Sequence, residues 1–510
     1  MSERPRLSRD LVASFALEKE TGVEMPPVEA LDLPEKIVQF GTGAFLRGFA
    51  EYFIDEANRR GMFGGSVVAV SSMGSQRDEL LNAQDGLFTL AIQGVDGAVA
   101  RQRHRVIASL SRAVSARDAW SAVLELARSP DVEIVISNST EVGIVFDEAD
   151  QFDASPPRSF PGKLTRFLAE RARAFDYDAC RGVIVLPCEL IEDNGDTLRA
   201  IVQKLAHRWA LGTRFEHWLA ASVTFCNTLV DRIVTGVVSA DESERIAKRL
   251  GYRDGLITSC EPYALFAIQG GDRLRARLGF PEADPRVVVT ADIRPYRERK
   301  VRLLNGAHTI SVPVALLAGL DTVRDAVEDE RVGRFIRRVV FDDVAPNLDA
   351  AGAEEFAREV LERFANPYIR HALIDITLYG TTKMRVRVVP SIVDCYRRTG
   401  RVPSSLAFGF AAYIAFMRGD LQAERRTMGL IVPEDGEGDR VRDAWLGVDR
   451  RDDASLAGLA RRVCGDEKLW GADMASLTGF ADLVADHLVR IVRQGIHSAL
   501  DAHLTEHART

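Results

Sequence analysis

Lys36-Ile-Val-Gln-Phe40-Gly41-Thr42-Gly43-Ala44-Phe45-Leu46-Arg47-Gly48 is the stretch that decides the fold of this 510-residue chain. Its first five residues form a short apolar run that reads as a buried strand, and two glycines end it. Glycine at 41 permits a tight turn, and glycine at 43 lets backbone come close to a pyrophosphate. The helix expected beyond it, over residues 49–60, turns its amide end and positive dipole toward that anion. Ser66-Val-Val-Ala-Val-Ser71 is the next strand, so the pieces make a βαβ unit. Gly41, Thr42, Gly43, Ala44, Phe45 and Leu46 are therefore candidate cofactor-binding residues. Leu46 takes the place of the third fingerprint glycine, with Gly48 two positions on. Ser71 stands where the second strand ends. The acidic residue that would hold a ribose is replaced there by Ser71-Ser72-Met73, with Arg77 beyond, which leaves NAD and NADP both open.

The alternation continues outward. A helix over 116–129 leads to a strand over 132–137, which ends in Asn138-Ser139-Thr140-Glu141. A helix over 162–174 leads to a strand over 182–186, which opens into Pro187-Cys-Glu189-Leu-Ile-Glu-Asp193-Asn194-Gly195-Asp196 before a helix over 197–210. Polar residues at the carboxyl end of a parallel strand are where α/β folds place ligand contacts, which adds Asn138 and Thr140 on the cofactor side. Such residues also favour caps and turns for their own sake. After a last strand over 286–290 the texture changes to long helical patterns over 307–319, 353–364, 403–417 and 475–501. The fold class is α/β: an N-terminal arm over 1–30, a Rossmann-type dinucleotide-binding domain over 31–290, and a mostly α-helical C-terminal domain over 291–510.

At the head of that helical part lies Arg294-Pro-Tyr-Arg297-Glu-Arg299-Lys300-Val-Arg302-Leu-Leu-Asn305-Gly-Ala-His308, which sets an amine, an amide and an imidazole within nine residues. Of 66 basic residues only eight are lysines, and here one stands among three arginines. Arginine keeps its proton near neutral pH, whereas a lysine can release one when burial or neighbouring cations depress its pKa, so Lys300 is a candidate proton shuttle. In a helix from 301 onward Asn305 and His308 are three apart and share a face. Lys300, five before Asn305, would sit well round an α-helix and would join them only at its first turn.

Composition confines the function further. Hydrophobic residues at 46% and charged residues at 27% are those of an ordinary globular protein. A net charge of −8 with scattered basic residues leaves no footprint for nucleic acid, and no run reaches the roughly 18 apolar residues of a membrane helix. The six cysteines have no C-x-x-C or zinc spacing, which fits reduced thiols in a cytoplasm. Four histidines at 487, 497, 503 and 507 read as exposed helix faces rather than a metal site. The expected partner is a small molecule, with neither membrane nor nucleic acid.

Taken in order, the chain resembles the mannitol dehydrogenase family, the polyol-specific long-chain dehydrogenases. The likeness rests on residues 37–47, Ala-Gln-Asp-Gly-Leu-Phe at 83–88, Ser-Asn-Ser-Thr-Glu-Val-Gly-Ile at 137–144 and the 186–196 loop. Leu-Val-Asp-Arg-Ile-Val-Thr-Gly at 229–236, the segment from Arg294 to Thr309, and Asn-Pro-Tyr-Ile-Arg-His at 366–371 complete it. The resemblance implies a nicotinamide cofactor and a hydride transfer between a carbonyl and an alcohol. It further implies Lys300 as acid/base without a metal, Asn194 and Asn305 as donors to the reacting oxygen, and His308 positioning the substrate. Asp231 falls on the substrate side. A sugar acid needs a cation for its carboxylate, and Lys383, Arg385 and Arg387 in Gly380-Thr-Thr-Lys-Met-Arg-Val-Arg387 are the nearest candidates, although such charges can equally line a solvated face. Asp375 stands where polyol-oxidising relatives carry arginine. The expected reaction is NAD-dependent reduction of D-tagaturonate to D-altronate, with fructuronate to mannonate or fructose to mannitol as alternatives. A nucleotide-binding regulator without turnover would have no use for the proton-handling set.

Overall fold

Six strands form the central sheet: Glu35–Phe40 (β1), Ser66–Ser71 (β2), Leu110–Ser115 (β3), Ile134–Ser137 (β4), Ile184–Pro187 (β5) and Thr224–Phe225 (β6). In this computed structural model, which describes residues 4–14, 22–74, 76–96, 99–139, 143–421 and 435–506, their order is β3-β2-β1-β4-β5-β6 with every pairing parallel. The chain runs outward from β1 to β3 and then returns to the other side of β1. The carboxyl ends of β1 and β4 therefore flank the point where strand order reverses, the place where such sheets bind dinucleotides.

Alternating side chains explain why both sheet faces are covered. Ile37, Ala69, Ile136 and Leu186 enter one apolar cluster with Phe49, Phe53 and Phe266. Val38, Val70, Val135 and Val185 enter another with Val123, Phe167, Leu198 and Trp218. Strands buried on both sides read as continuous apolar runs, as these do. The first cluster is completed by a three-stranded sheet of Thr228–Asp231 (β7), Leu265–Gln269 (β8) and Val287–Thr290 (β9), with β7 antiparallel and β9 parallel to β8. A five-stranded sheet joins the same cluster through Phe88, Leu90, Ile92, Ile107 and Cys260, its strands Val23–Glu24, Val99–Ile107, Phe88–Asp96, Thr258–Cys260 and Val234–Val237 in that order.

The described parts of the N-terminal segment, residues 4–14 and 22–30, are tied to the domain that follows. Leu7 donates its backbone N–H to the Arg253 carbonyl, Val23 and Glu24 pair with His104 and Arg105, and Leu7, Val12, Val23 and Met25 are buried beside Leu250 and Tyr252. Burial of these apolar side chains anchors it.

These elements make one compact unit, residues 1–94 and 101–293; the other comprises 294–510 with 95–100. Among the described residues from 294 to 506 the second unit is helical, with turns and an isolated bridge between its helices. Arg294–Arg299 is a short α-helix, Lys300–Gly306 continues it with π-helical hydrogen bonding, and Ala307–Leu317 returns to α geometry. Ala353–Phe364 packs against that π segment. Gly380–Lys383, a second π segment Met384–Val388, and Val389–Thr399 follow in the same way. Pro390 explains the second change of register. It lacks the N–H of an α-helical bond and its ring would clash with the carbonyl four residues back, so the preceding turn widens. A third π segment, Val339–Val344, likewise ends two residues before Pro346. Ser404–Phe416 is buried at every residue from Ser405 onward and packs against Ala307–Leu317, as an apolar helix must.

The long C-terminal pattern is two helices, Phe480–Gln494 and Ile496–Glu506, divided by Gly495 at φ +83°. His487 and His503 contradict the expectation of exposed faces: they are 2% and 0% exposed, and their rings cluster with Phe408. His487 is three residues from Val484 and next to Leu488, so it lies on the apolar stripe of its helix.

Candidate active site

The glycine turn is tighter than the sequence suggested. Gly41 has φ +128°, where a side chain is strained, and a Cβ there would lie 3.1 Å from the Asn138 carbonyl oxygen. Gly43 caps a short helix, Ala44–Gly48 (α1), which breaks at Phe49 and resumes as Ala50–Arg59 (α2). The helix after the turn thus begins at Ala44 rather than at 49. Leu46 fills the space beneath the turn, its Cδ1 being 3.3 Å from the same Gly41 Cβ position. The close approach normally granted by a third glycine falls to Gly48, where a Cβ would meet Val234 at 2.8 Å. Thr42 and Phe45 flank this turn, and a Cβ on Gly43 would meet nothing within 4 Å.

Around the turn, Ser71 ends β2 and its Oγ accepts from the Gly74 N–H at 3.2 Å. Asn138 follows β4, donating its backbone N–H to the Phe40 carbonyl and its Nδ2 to the Cys188 carbonyl at 2.7 Å. Thr140 lies outside the described residues. Glu189 accepts from the Ser137 hydroxyl and from the Ser139 N–H and hydroxyl, which ties the ends of β4 and β5 together. Burial raises its pKa against the pull of those hydrogen bonds. At the carboxyl ends of β2 and β3 a pocket of about 380 Å³ is lined by Gly74, Asp78, Glu79, Ser115, Arg117 and Asp118 among others. Ser115 and Arg117 hydrogen-bond Asp118 and hold its pKa down.

Asn194 opens the helix that follows the β5 loop. It is 1% exposed, and Nδ2 faces the carbonyls of Pro187, Glu189 and Thr228 and the Thr228 hydroxyl at 3.0, 3.1, 3.3 and 3.1 Å. Its Oδ1 accepts from the N–H groups of Gly195 and Thr228, both at 2.9 Å. A carboxamide has two donors and two acceptor sites, and all are engaged here by the chain itself. These bonds clamp the loop after β5 to the start of β7. Gly195 is required beside it, since a Cβ would lie 2.4 Å from the Cys226 carbonyl. Asp231 ends β7 opposite Leu265 and is buried.

In the second unit the π segment resolves the problem of Lys300. In i→i+5 hydrogen bonding, residues five apart become neighbours on successive turns, so Lys300 and Asn305 share a face that an α-helix would have denied them. His308, in the α-helical continuation, is three past Asn305 on that face. Lys300 is half-buried. The neighbouring arginines are engaged elsewhere: Arg302 with Glu298, Ser391 and Asp394, and Arg299 with the Ala351 carbonyl and the rings of Tyr296 and Phe356.

His308 stacks on Phe364 at 3.9 Å between ring centroids and meets His371 edge-on at 5.2 Å. Burial pushes its pKa well below the usual 6.5, helped by His371 and by the cations Arg363, Arg387 and Lys383, so the imidazole is neutral at physiological pH. His371 is lowered too, first by burial. Arg387 Nη1 lies 3.5 Å from the hydroxyl of Thr309, the residue after His308, and Lys383 Nζ donates to the Ile376 carbonyl at 2.9 Å. Arg385 donates to Glu437 at 2.9 Å. The two π segments meet at Gly306, where a Cβ would lie 3.1 Å from the Arg387 carbonyl oxygen. Phe364, His371 and Arg363 were missed from sequence. His371 ends Asn-Pro-Tyr-Ile-Arg-His at 366–371, but no spacing rule connects residues 308, 363 and 387.

Among the described residues no group of three or more His, Cys, Asp or Glu could hold a metal ion, and no helix is long and apolar enough to cross a membrane. The mannitol dehydrogenase Rossmann domain model matches residues 35–280, and the mannitol dehydrogenase C-terminal domain model matches 292–455. An altronate oxidoreductase of Bacillus subtilis (strain 168) is 42% identical over 470 residues, covering 92% of this chain and 95% of its own. That of Yersinia pestis bv. Antiqua (strain Nepal516) is 40% identical over 475 residues, with coverages of 92% and 97%. A Pseudomonas fluorescens mannitol 2-dehydrogenase solved with NAD and D-mannitol aligns at TM-score 0.69 with 22% identity, covering 98% of this chain and all of that one. A substrate-free D-sorbitol dehydrogenase aligns at 0.77 with 22% identity, over 97% of this chain and all of that one. At that identity the two structures bear on the fold.

Proposed function

The chain belongs to the mannitol dehydrogenase family, and from that premise we infer that it is an NAD-dependent tagaturonate reductase, converting D-tagaturonate to D-altronate. The observation that carries the substrate is the identity of about 40% with altronate oxidoreductases over 92% of the chain. The cations around His308 support it, because a keto-uronate brings a carboxylate that Lys383 and Arg387 can neutralise, with Arg363 adding to the field.

The turn at Gly41, Thr42 and Gly43 fits a dinucleotide: it offers a positive-φ glycine, an open side at Gly43, and a position at the switch point of the sheet. Bound there, NADH supplies the hydride. Ala44, Phe45, Leu46, Ser71 and Asn138 complete its surroundings. The pocket beyond β2 and β3 favours NAD over NADP, since Asp78, Glu79 and Asp118 against Arg117 would repel a 2′-phosphate.

Lys300 holds the proton at Nζ and gives it to the carbonyl oxygen as negative charge builds there, and it takes the proton back in the reverse direction. Asn305, on the same helix face, donates its amide to that oxygen. His308, neutral and fixed by its stack on Phe364, orients a substrate hydroxyl. Asn194 shapes the loop after β5 instead of touching the substrate. Six unpaired cysteine thiols suit a cytoplasmic setting.

The test is loss of NADH absorbance with tagaturonate, fructuronate and fructose side by side, repeated with NADPH. Preference for tagaturonate with NADH is expected. Preference for fructose would remove the carboxylate from the reading, and no turnover with any of them would remove the reductase.

A further inference from the structure

Two successive carbonyls of the glycine turn are tied to side chains that have no solvent exposure. Gln39 Nε2 donates to the Gly41 carbonyl at 2.9 Å and to Glu51 Oε1 at 2.7 Å. Arg47 Nη1 donates to the Thr42 carbonyl at 2.7 Å, while its Nε and Nη2 reach Thr258 Oγ1 at 3.2 and 3.1 Å. Gln39, Arg47 and Glu51 are each 0% exposed. A guanidinium and a carboxyl are costly to bury, and the two attract each other here without touching. Burial lowers the pKa of Arg47 and raises that of Glu51 to about 7. Such an expense beneath a turn calls for a function beyond packing.

Peptide geometry suggests one. In a trans peptide the carbonyl of one residue and the N–H of the next point to opposite sides. Holding the Gly41 and Thr42 carbonyls toward the interior turns the N–H groups of Thr42 and Gly43 outward, on the side where a Cβ at Gly43 would meet nothing. Adjacent N–H groups aimed one way form a nest for an anion. Arginine suits the task because its fork spans the turn and Thr258, in the buried strand Thr258–Cys260, at once.

We propose that Gln39, Arg47 and Glu51 are positioning residues for the cofactor, which fix the two carbonyls inward and so aim the Thr42 and Gly43 amides at its pyrophosphate. The proposal rests on the dinucleotide-binding reading of the turn. None of the three touches the cofactor; each acts through the backbone.

The experiment compares the full-length parent with Arg47→Met, Arg47→Lys and Thr258→Val, measuring NADH affinity by fluorescence titration, both KM values, kcat and thermal unfolding. Arg47→Met should weaken NADH binding roughly tenfold or more, with the loss concentrated in KM for NADH rather than in KM for the sugar acid. Arg47→Lys should recover part of it through one remaining donor, and Thr258→Val should fall between parent and Arg47→Met. Parental NADH affinity in a folded Arg47→Met protein overturns the proposal. If Arg47→Met does not fold, parental affinity in Thr258→Val does so. A parent that fails to bind NADH would overturn the dinucleotide reading itself, whereas equal binding by parent and variants overturns only the role of the brace.

Discussion

Replacing Asn194 and Asn305 one at a time by alanine separates a clamp from a catalytic donor. Asn194→Ala orphans two buried N–H groups, those of Gly195 and Thr228, and strips donors from the Pro187 and Glu189 carbonyls. Each unsatisfied buried group costs about 1–3 kcal/mol, so the two N–H groups together should cost about 4 kcal/mol. For a unit of this size that is a fall in Tm of roughly 10 °C. At a temperature where the variant remains folded, turnover per folded molecule should change by less than about tenfold, because no donor to the reacting oxygen has been removed. Asn305 lies on the face shared with Lys300, and Asn305→Ala should lower kcat by roughly 100-fold or more with a Tm near that of the parent. The assay pairs steady-state NADH oxidation with thermal melts on the same preparations. An Asn194→Ala protein that melts like the parent yet loses 100-fold or more in kcat would refute the reasoning, since the carboxamide would then have to leave its backbone partners to serve the substrate.

Lys300→Ala should abolish most turnover while NADH binding by fluorescence stays near the parental value; retained turnover would remove Lys300 from the proton step. Arg387→Leu should raise KM for tagaturonate by about tenfold or more, as loss of a charged partner for a carboxylate implies, without a comparable effect on any activity toward fructose. Asp343 is a buried carboxyl whose pKa rises from 3.8 to about 7, chiefly through burial. Because the folded value exceeds the unfolded one, its contribution to stability is complete below pH 4 and is lost as pH rises through 7, about 4 kcal/mol in all. Asp343→Asn should flatten that part of the stability profile in urea melts between pH 5 and 8, and an unchanged slope would count against the burial argument.

The βαβ start was legible because its signals are local. Phe40, Gly41 and Gly43 name a strand end and a turn within four residues, and a glycine that must take positive φ announces itself wherever it stands. The helix over 353–364 was legible from apolar periodicity, and that over 403–417 from an almost unbroken apolar run. Other features were not. His487 and His503 look polar in isolation and are buried because their helices turn that stripe inward. The N-terminal segment looks like an arm until Leu7, Val12 and Val23 meet residues more than 60 positions away.

By itself the sequence determined the βαβ entry to a dinucleotide fold, the helical character of the second half, and the set of an amine, an amide and an imidazole near residue 300. These rest on neighbours along the chain. Tertiary structure alone decided what surrounds the candidate groups. Asn194 is clamped by Thr228, 34 residues on, and the cations Arg363 and Arg387 bear on His308 from distant helices. Lys300 and Asn305 share a face because the helix adopts π hydrogen bonding, where Gly306 admits the Arg387 carbonyl. A hydrogen-bond register and a distant carbonyl are settled when the chain packs, and neither is written in the order of its residues.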